Sequence, residues 1–201
     1  MGGFMDILFY SNVLLWIVVL FMLFSLFLLY RQFGSVYLGT REAITRDGVS
    51  IGSKLPEFSA KSYFSNERIP IDSFFHKPTL IAFISPGCKP CQELIPEWNK
   101  AYMKYNEKIN FVIVGLGDKT SFSKLLADKS LIGELLLDEE REILASCQVR
   151  VTPFAFVIDE NGTVKGKGLC NGIEHIHGLI SALEGESVLV EETNLPERTV
   201  K

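Results

Sequence analysis

Two cysteines three residues apart, Cys88 and Cys91 in SPGCKPC, follow directly on the apolar run Leu80-Ile81-Ala82-Phe83-Ile84. A Cys-x-x-Cys pair has three readings: half of a zinc site, a dithiol that cycles with its disulfide, or two inert thiols brought together by packing. Zinc needs two more ligands, and the remaining candidates Cys147, Cys170, His175 and His177 supply no second Cys-x-x-Cys. Gly87, Lys89 and Pro90 are poor residues for a packed core, which counts against inert thiols. The redox dithiol is the reading that fits, and neither a metal nor another cofactor is expected.

What surrounds the pair tells how it would work. Residues 80–85 read as a strand and 92–107 as a helix whose apolar positions are Leu94, Ile95, Trp98, Tyr102 and Tyr105. Cys88 then sits at a helix N-terminus, where unpaired N–H groups and the helix dipole stabilise a thiolate, and the Lys89 ammonium adds to this. Such settings bring a thiol pKa from about 8.5 down to roughly 3.5–7.5, so Cys88 is the expected nucleophile. Cys91, one turn further in, is expected to be more buried and to attack a mixed disulfide at Cys88, releasing the substrate. Pro90 fixes φ near the helix start without losing a needed donor.

A second signal lies downstream in RVTPFAFVIDENG, where Pro153 opens an apolar strand. Proline is permitted at a strand start, and a cis Thr152–Pro153 bond would leave the Thr152 backbone available to an extended substrate beside the dithiol.

The elements that must hold these groups alternate in type. Residues 109–116 read as a strand, 121–127 as a helix, 134–137 as a strand and 140–147 as a helix; 154–159 and 163–168 read as a hairpin, and 173–184 as a last helix. Asn161-Gly162 is a turn signal because both residues accept positive φ. Pro96 is expected to kink the helix it interrupts without ending it. Strand, helix, strand around the dithiol implies a parallel crossover, so the expected class is α/β, a mixed central sheet flanked by helices.

The N-terminal part is of another kind. Met1 to Tyr30 contains no Lys or Arg and one acid, Asp6, and 7–30 is apolar except for Ser11, Asn12 and Ser25. At about 1.5 Å per residue such a run spans a bilayer core of roughly 30 Å. It lacks the basic start and small-residue exit of a cleaved signal peptide, so an uncleaved transmembrane helix is expected. The expected division is an anchor over 1–32, a juxtamembrane stalk over 33–51, a globular domain over 52–185 and a loose tail over 186–201. In the 201-residue chain, 20 basic and 24 acidic side chains give a net charge of −4 without blocks, and nucleic acid is not an expected partner. Four cysteines are too few for a disulfide-built scaffold of this size.

With SPGCKPC, RVTPFAFVIDENG and the lead-in Gly52-Ser53-Lys54-Leu55-Pro56-Glu57-Phe58, residues 52–184 resemble the membrane-anchored thioredoxin-like proteins of the TlpA and ResA type. Within that group the chain is most similar to the MauD-type accessory proteins of methylamine utilisation. It shares with them an anchor like SNVLLWIVVL, a Ser-Pro-x-Cys lead, a Thr-Pro-x-Ala-Phe-Val stretch and a Lys-Gly-Leu-x-Asn ending at 167–171. The resemblance implies a thioredoxin-like fold, Cys88 and Cys91 as catalytic dithiol, Pro153 as the cis-proline of a substrate groove, and thiol–disulfide exchange outside the cytoplasm. Protein thiol or disulfide clients and an integral membrane redox partner are the partners it implies.

The chain departs from the wider thioredoxin-like pattern at Gly87, where many members have Trp, and at Ala82, where many have a buried acid. Glu93 is then a weak candidate for the proton acceptor of Cys91. Cys147 and Cys170 are read first as small buried hydrophobes, with a disulfide or second relay as the alternative. Both could lie near the active-site end. His76, His175 and His177 read as surface residues. Arg31, Arg41 and Arg46 follow the anchor, which by the positive-inside rule favours a cytoplasmic domain. The resemblance implies the opposite side, and a bacterial, extracytoplasmic domain on a single-pass anchor is the expectation adopted. A peroxide-reducing redoxin is the alternative activity, although SPGCKPC does not reproduce the Pro-x-x-x-Thr/Ser-x-x-Cys pattern of those enzymes. A non-catalytic membrane scaffold is the alternative without chemistry.

Overall fold

A computed structural model describes residues 9–28 and 47–184, which fall into two units divided between Thr45 and Arg46. The first contributes one helix, α1 (Phe9–Leu28), with a mean hydropathy of 2.5 over its most apolar window. It is long and apolar enough to cross a membrane and lies inside the expected 7–30. Most of the expected stalk and all of the expected tail after residue 185 lie outside the described residues.

The second unit is built on a seven-stranded mixed sheet. In chain order its strands are β1 (Ser59–Ser62), β2 (Arg68–Pro70), β3 (Thr79–Ile84), β4 (Asn110–Gly115), β5 (Glu134–Leu137), β6 (Phe154–Ile158) and β7 (Val164–Leu169). They lie in the order β2-β1-β5-β4-β3-β6-β7, with β3, β4 and β5 parallel and the pairs on either side antiparallel. The helices are α2 (Lys89–Tyr105), α3 (Lys119–Leu126), α4 (Glu142–Ser146) and α5 (Ile173–Ser181), the last continued by a 3₁₀ turn over Ala182–Glu184.

Strand periodicity sorts the core into two layers. Leu80, Ala82, Ile84, Phe111, Ile113, Leu135, Ala155 and Val157 face α2, α3 and α5, where they meet Leu94, Trp98, Phe122 and Leu179. Ile81, Phe83, Val112, Val114, Leu136, Phe154 and Phe156 face the other way, toward Ile143 and Cys147 near α4 and toward Val49, Leu55 and Ile71. β3 and β6 are buried along their whole length because both faces are covered.

α2 runs through Pro96 without ending. Proline has no N–H to donate to the Gln92 carbonyl four residues back, and the Lys129 ammonium donates to that oxygen instead, at 2.7 Å. Trp98 fixes the inner face: its Nε1 donates to the Ile132 carbonyl at 3.1 Å and its ring meets Phe111 edge-on.

The structure corrects several expectations. Contacts with the sheet domain begin ahead of Gly52. Asp47 and Val49 are buried, and the Gly48 and Val49 N–H groups donate to the carbonyls of Gln148 and Cys147. The short strands β1 and β2 were not expected, since SAKS and RIP carry too few apolar residues to show a period. α4 begins at Glu142, not at 140, because Arg141 sits at φ 60° and the Asp138 carboxylate accepts the Ile143 and Leu144 N–H groups. In the turn between β6 and β7 only Gly162 has positive φ, at 74°; its N–H donates to the Asp159 carbonyl, and Asp159 Oδ1 accepts from Asn161 and Thr163. The loop is a turn closed by a left-handed glycine, not a paired positive-φ turn.

At the end of β4, a Cβ added at Gly115 would stand 2.4 Å from the Phe122 ring of α3. Gly115→Ala is therefore expected to destabilise the domain by about 1–3 kcal/mol through overpacking, measured as a lowered midpoint of denaturant unfolding.

Candidate active site

The turn 85–88 carries the chain from β3 into α2, with the Cys88 N–H donating to the Ser85 carbonyl at 3.1 Å. Gln92 Nε2 reaches back to the Pro86 carbonyl at 2.9 Å and ties this turn to the helix it precedes. Cys88 is the N-cap of α2, one residue ahead of Lys89 and two ahead of Pro90. Its sulfur accepts the Cys91 N–H at 3.4 Å, so one of the orphan donors of the first turn points at the thiol. A helix N-terminus favours negative charge at that position.

Cys88 is half-buried, and a Cβ added at the exposed Gly87 would meet nothing within 4 Å. Cys91 is fully buried on the layer formed with Ala82, Leu94, Trp98 and Ala155. Burial pushes its thiol up to about 12, the hydrogen bond with Cys88 adding to this while contacts with Ser85 and the Thr152 side chain oppose it.

The downstream signal comes to the same place. Thr152–Pro153 is a cis peptide, and the Cys88 thiol donates to the Thr152 carbonyl at 3.6 Å, 64 residues away in sequence. The antiparallel pairing of β3 with β6 makes this so: Phe83 lies opposite Phe154, which puts the start of β6 beside the end of β3. Cys88, Cys91, Thr152 and Pro153 are thus brought together.

Lys89 is not brought in. Its side chain is 86% exposed and its ammonium lies 4.0 Å from Glu93, so solvent and a counter-charge screen it. The same geometry holds Glu93 at the surface, away from the buried Cys91. Among the described residues the buried carboxylates are Asp47 and Asp138, which accept backbone N–H groups of 150–151 and 143–144.

Cys147 and Cys170 are both fully buried free thiols, in different core layers with the sheet between them. They do not face one another. Cys170 lies beside the site, its N–H donating to the Pro153 carbonyl at 3.0 Å, whereas the Cys147 carbonyl accepts the Val49 N–H at 3.1 Å. His177 is not a plain surface residue either: its ring meets Tyr105 edge-on and its Nε2 is buried.

Burial pushes the Cys147 and Cys170 thiols up to about 12, as it does Cys91. An unfolded chain releases these protons near the ordinary thiol value of 9.0. Folded stability is therefore complete below that value and is lost as pH rises toward the folded values. The expected loss is about 1.4 kcal/mol per pH unit for each thiol in that window. Melting temperature is expected to fall through this alkaline range, and less steeply for Cys147→Ala than for the wild type, whatever the variant's starting value.

Residues 51–167 match the family model described as AhpC/TSA family. The methylamine utilization protein MauD of Paracoccus versutus is 31% identical over 86% of this chain and 87% of its own length. The chain belongs to the AhpC/TSA family and to the MauD proteins. The thiol-disulfide oxidoreductase ResA of Bacillus thuringiensis is 28% identical, over 58% of this MauD-family chain and 68% of its own. A Chlorobium tepidum structure assigned as the thiol:disulfide interchange protein DsbE superposes with a TM-score of 0.62 at 20% identity, covering 70% of this chain and 99% of that one. That likeness shows the fold, which is thioredoxin-like.

Proposed function

We propose that this thioredoxin-like thiol-disulfide oxidoreductase exchanges disulfides with protein clients through Cys88 and Cys91 while tethered to a membrane by α1. The observation that carries the reading is the Cys88 sulfur, reachable from solvent yet held between the Cys91 N–H and the Thr152 carbonyl, with Cys91 sealed beneath it.

The Cys88 thiolate attacks one sulfur of a client disulfide; a Cys88–client bond forms, the client S–S bond breaks, and the other client sulfur leaves as thiolate. Cys91 then loses its proton and attacks Cys88, forming the Cys88–Cys91 disulfide and freeing the second client sulfur, which takes up a proton. The client gains two electrons and the pair loses two. Run backward, the oxidised pair makes a disulfide in a client dithiol. Thr152 and Pro153 line the approach for an extended client segment, and Pro90 sets the first turn of α2.

The domain acts outside the cytoplasm in this reading, its relatives are named for methylamine utilization, and its client is a partner protein that it helps to mature. An integral membrane protein resets the pair. The proposed division is an anchor over 1–32, a juxtamembrane stalk over 33–51, a domain over 52–185 and a tail over 186–201.

The test uses the purified full-length chain in detergent, mixed with a disulfide-bonded protein and, separately, with hydrogen peroxide. Exchange that needs both cysteines supports the proposal. Peroxide turnover independent of Cys91 would replace it with a peroxidase, and full support of client maturation by a Cys88→Ala/Cys91→Ala chain would replace it with a scaffold. Placement is tested on intact cells with a membrane-impermeant maleimide: labelling of Cys88, directly or after mild reduction, supports an outside domain, and labelling only after lysis contradicts it.

A further inference from the structure

The loop that meets Cys88 is held from an unexpected quarter. Residues 150–152 belong to no strand or helix, and the β6–β7 pairing reaches no further back than the Pro153 carbonyl, which accepts the Cys170 N–H. The backbone of this loop is held by Asp47, the first described residue of the second unit. This carboxylate is only 2% exposed, yet its Oδ1 accepts the Arg150 N–H at 3.0 Å, and its Oδ2 accepts the N–H groups of Arg150 at 3.2 Å and Val151 at 3.3 Å. A buried carboxylate on backbone donors forms charge-assisted bonds, stronger than neutral ones and costly to lose.

Asp47 is itself pinned. Gly48 takes φ 70° and lies so close to the Phe154 and Phe156 rings that a Cβ would stand 2.6 Å from Phe156. The Gly48 carbonyl accepts from Lys167 Nζ of β7 at 2.9 Å, while its N–H donates to Gln148. The Arg150 guanidinium also approaches Asp47, with Nε 3.6 Å away, but that side chain is 73% exposed. An exposed arm of this kind adds little, so the backbone bonds carry the contact.

We propose that Asp47 is a positioning residue for the client-binding loop: its carboxylate holds the backbone of Arg150 and Val151 so that Thr152 stands at Cys88, and this sets the affinity for extended protein disulfides. The inference rests on the exchange function proposed above. A cap that merely closes the domain would bond any nearby donors. Asp47 bonds the two N–H groups immediately before Thr152, the residue whose carbonyl receives the Cys88 thiol.

The test compares full-length wild type, Asp47→Asn, Asp47→Ala and Arg150→Ala in detergent. Two substrates are used: a disulfide-bonded peptide, turned over with glutathione supplying the electrons, and the small aromatic disulfide DTNB, which does not need the loop and is met by pre-reduced protein in a single turnover. Both Asp47 variants are expected to raise KM for the peptide roughly tenfold, the effect of losing about one charge-assisted hydrogen bond. Peptide kcat and the DTNB rate stay within about twofold, and Arg150→Ala stays within about twofold throughout. Asp47→Asn keeps one acceptor oxygen, so it reports even where Asp47→Ala fails to fold. The proposal is overturned if KM is unchanged, if peptide and DTNB rates fall together in step with lost folded protein, or if Arg150→Ala matches the Asp47 variants. A wild type that exchanges neither substrate would instead remove the exchange function beneath it.

Discussion

Cys88→Ser is expected to abolish exchange with protein disulfides, lowering the rate on the order of a thousandfold or more, about 4 kcal/mol or more of barrier. A hydroxyl has no accessible anion at neutral pH and does not attack disulfide sulfur, whereas the helix N-terminus and the Cys91 N–H are already aimed at this position. The fold should be unaffected, since Cys88 is half-buried and Ser is a good N-cap. Turnover of a disulfide-bonded protein, beside an unchanged melting temperature, is the measurement. Retained turnover would move the nucleophile elsewhere.

Cys91→Ser is expected to do something different: first attack proceeds, release does not, and Cys88–client disulfides accumulate until they are the main form of the protein. The asymmetry follows from burial. Cys91 is closed to clients and its thiol is pushed up to about 12, so it stays protonated while Cys88 is free. Two of the causes that hold it up, the hydrogen bond and the charge interaction with Cys88, disappear once Cys88 is tied into a mixed disulfide. Formation of the mixed disulfide thus makes its own resolution easier. In the wild type the release step should speed up as pH rises below the Cys91 value, by up to tenfold per unit, because the thiolate is the attacking form. Non-reducing gels of Cys91→Ser membranes check the first point, and stopped-flow release rates across pH the second. Equal behaviour of the Cys88 and Cys91 variants would contradict the division of roles.

Much of this was legible in the chain because the informative signals were local. The apolar run of β3, the Cys-x-x-Cys spacing and the apolar positions of α2 each announce themselves within a few residues, and together they put Cys88 at a helix start. Pro153 before an apolar strand marked the opposite wall. The meeting of Thr152 with Cys88 depends on the β3–β6 register, for which sequence gives only the order of strands.

What was not legible depends on long-range partners. Asp47 lies in a polar stretch with weak periodicity, and its role comes from donors 103 and 104 residues away. β1 and β2 are held by pairing with each other and with β5 rather than by their own residues. Lys89 beside Cys88 suggested electrostatic help, but a side chain at the first turn of a helix can point to solvent, and this one meets Glu93 there. The departure at Ala82 gains a physical sense: it leaves Cys91 on an apolar layer, where burial raises its pKa.

The most direct test equilibrates the full-length wild type with glutathione redox buffers of graded ratio, quenches in acid, alkylates and maps each cysteine by mass. The expected result is one disulfide, Cys88–Cys91, titrating as a two-electron couple within the roughly −270 to −120 mV spanned by redox dithiols of this kind, with Cys147 and Cys170 remaining thiols throughout. Absence of a Cys88–Cys91 disulfide at every ratio, or a disulfide drawn through Cys147 or Cys170 instead, would contradict the account.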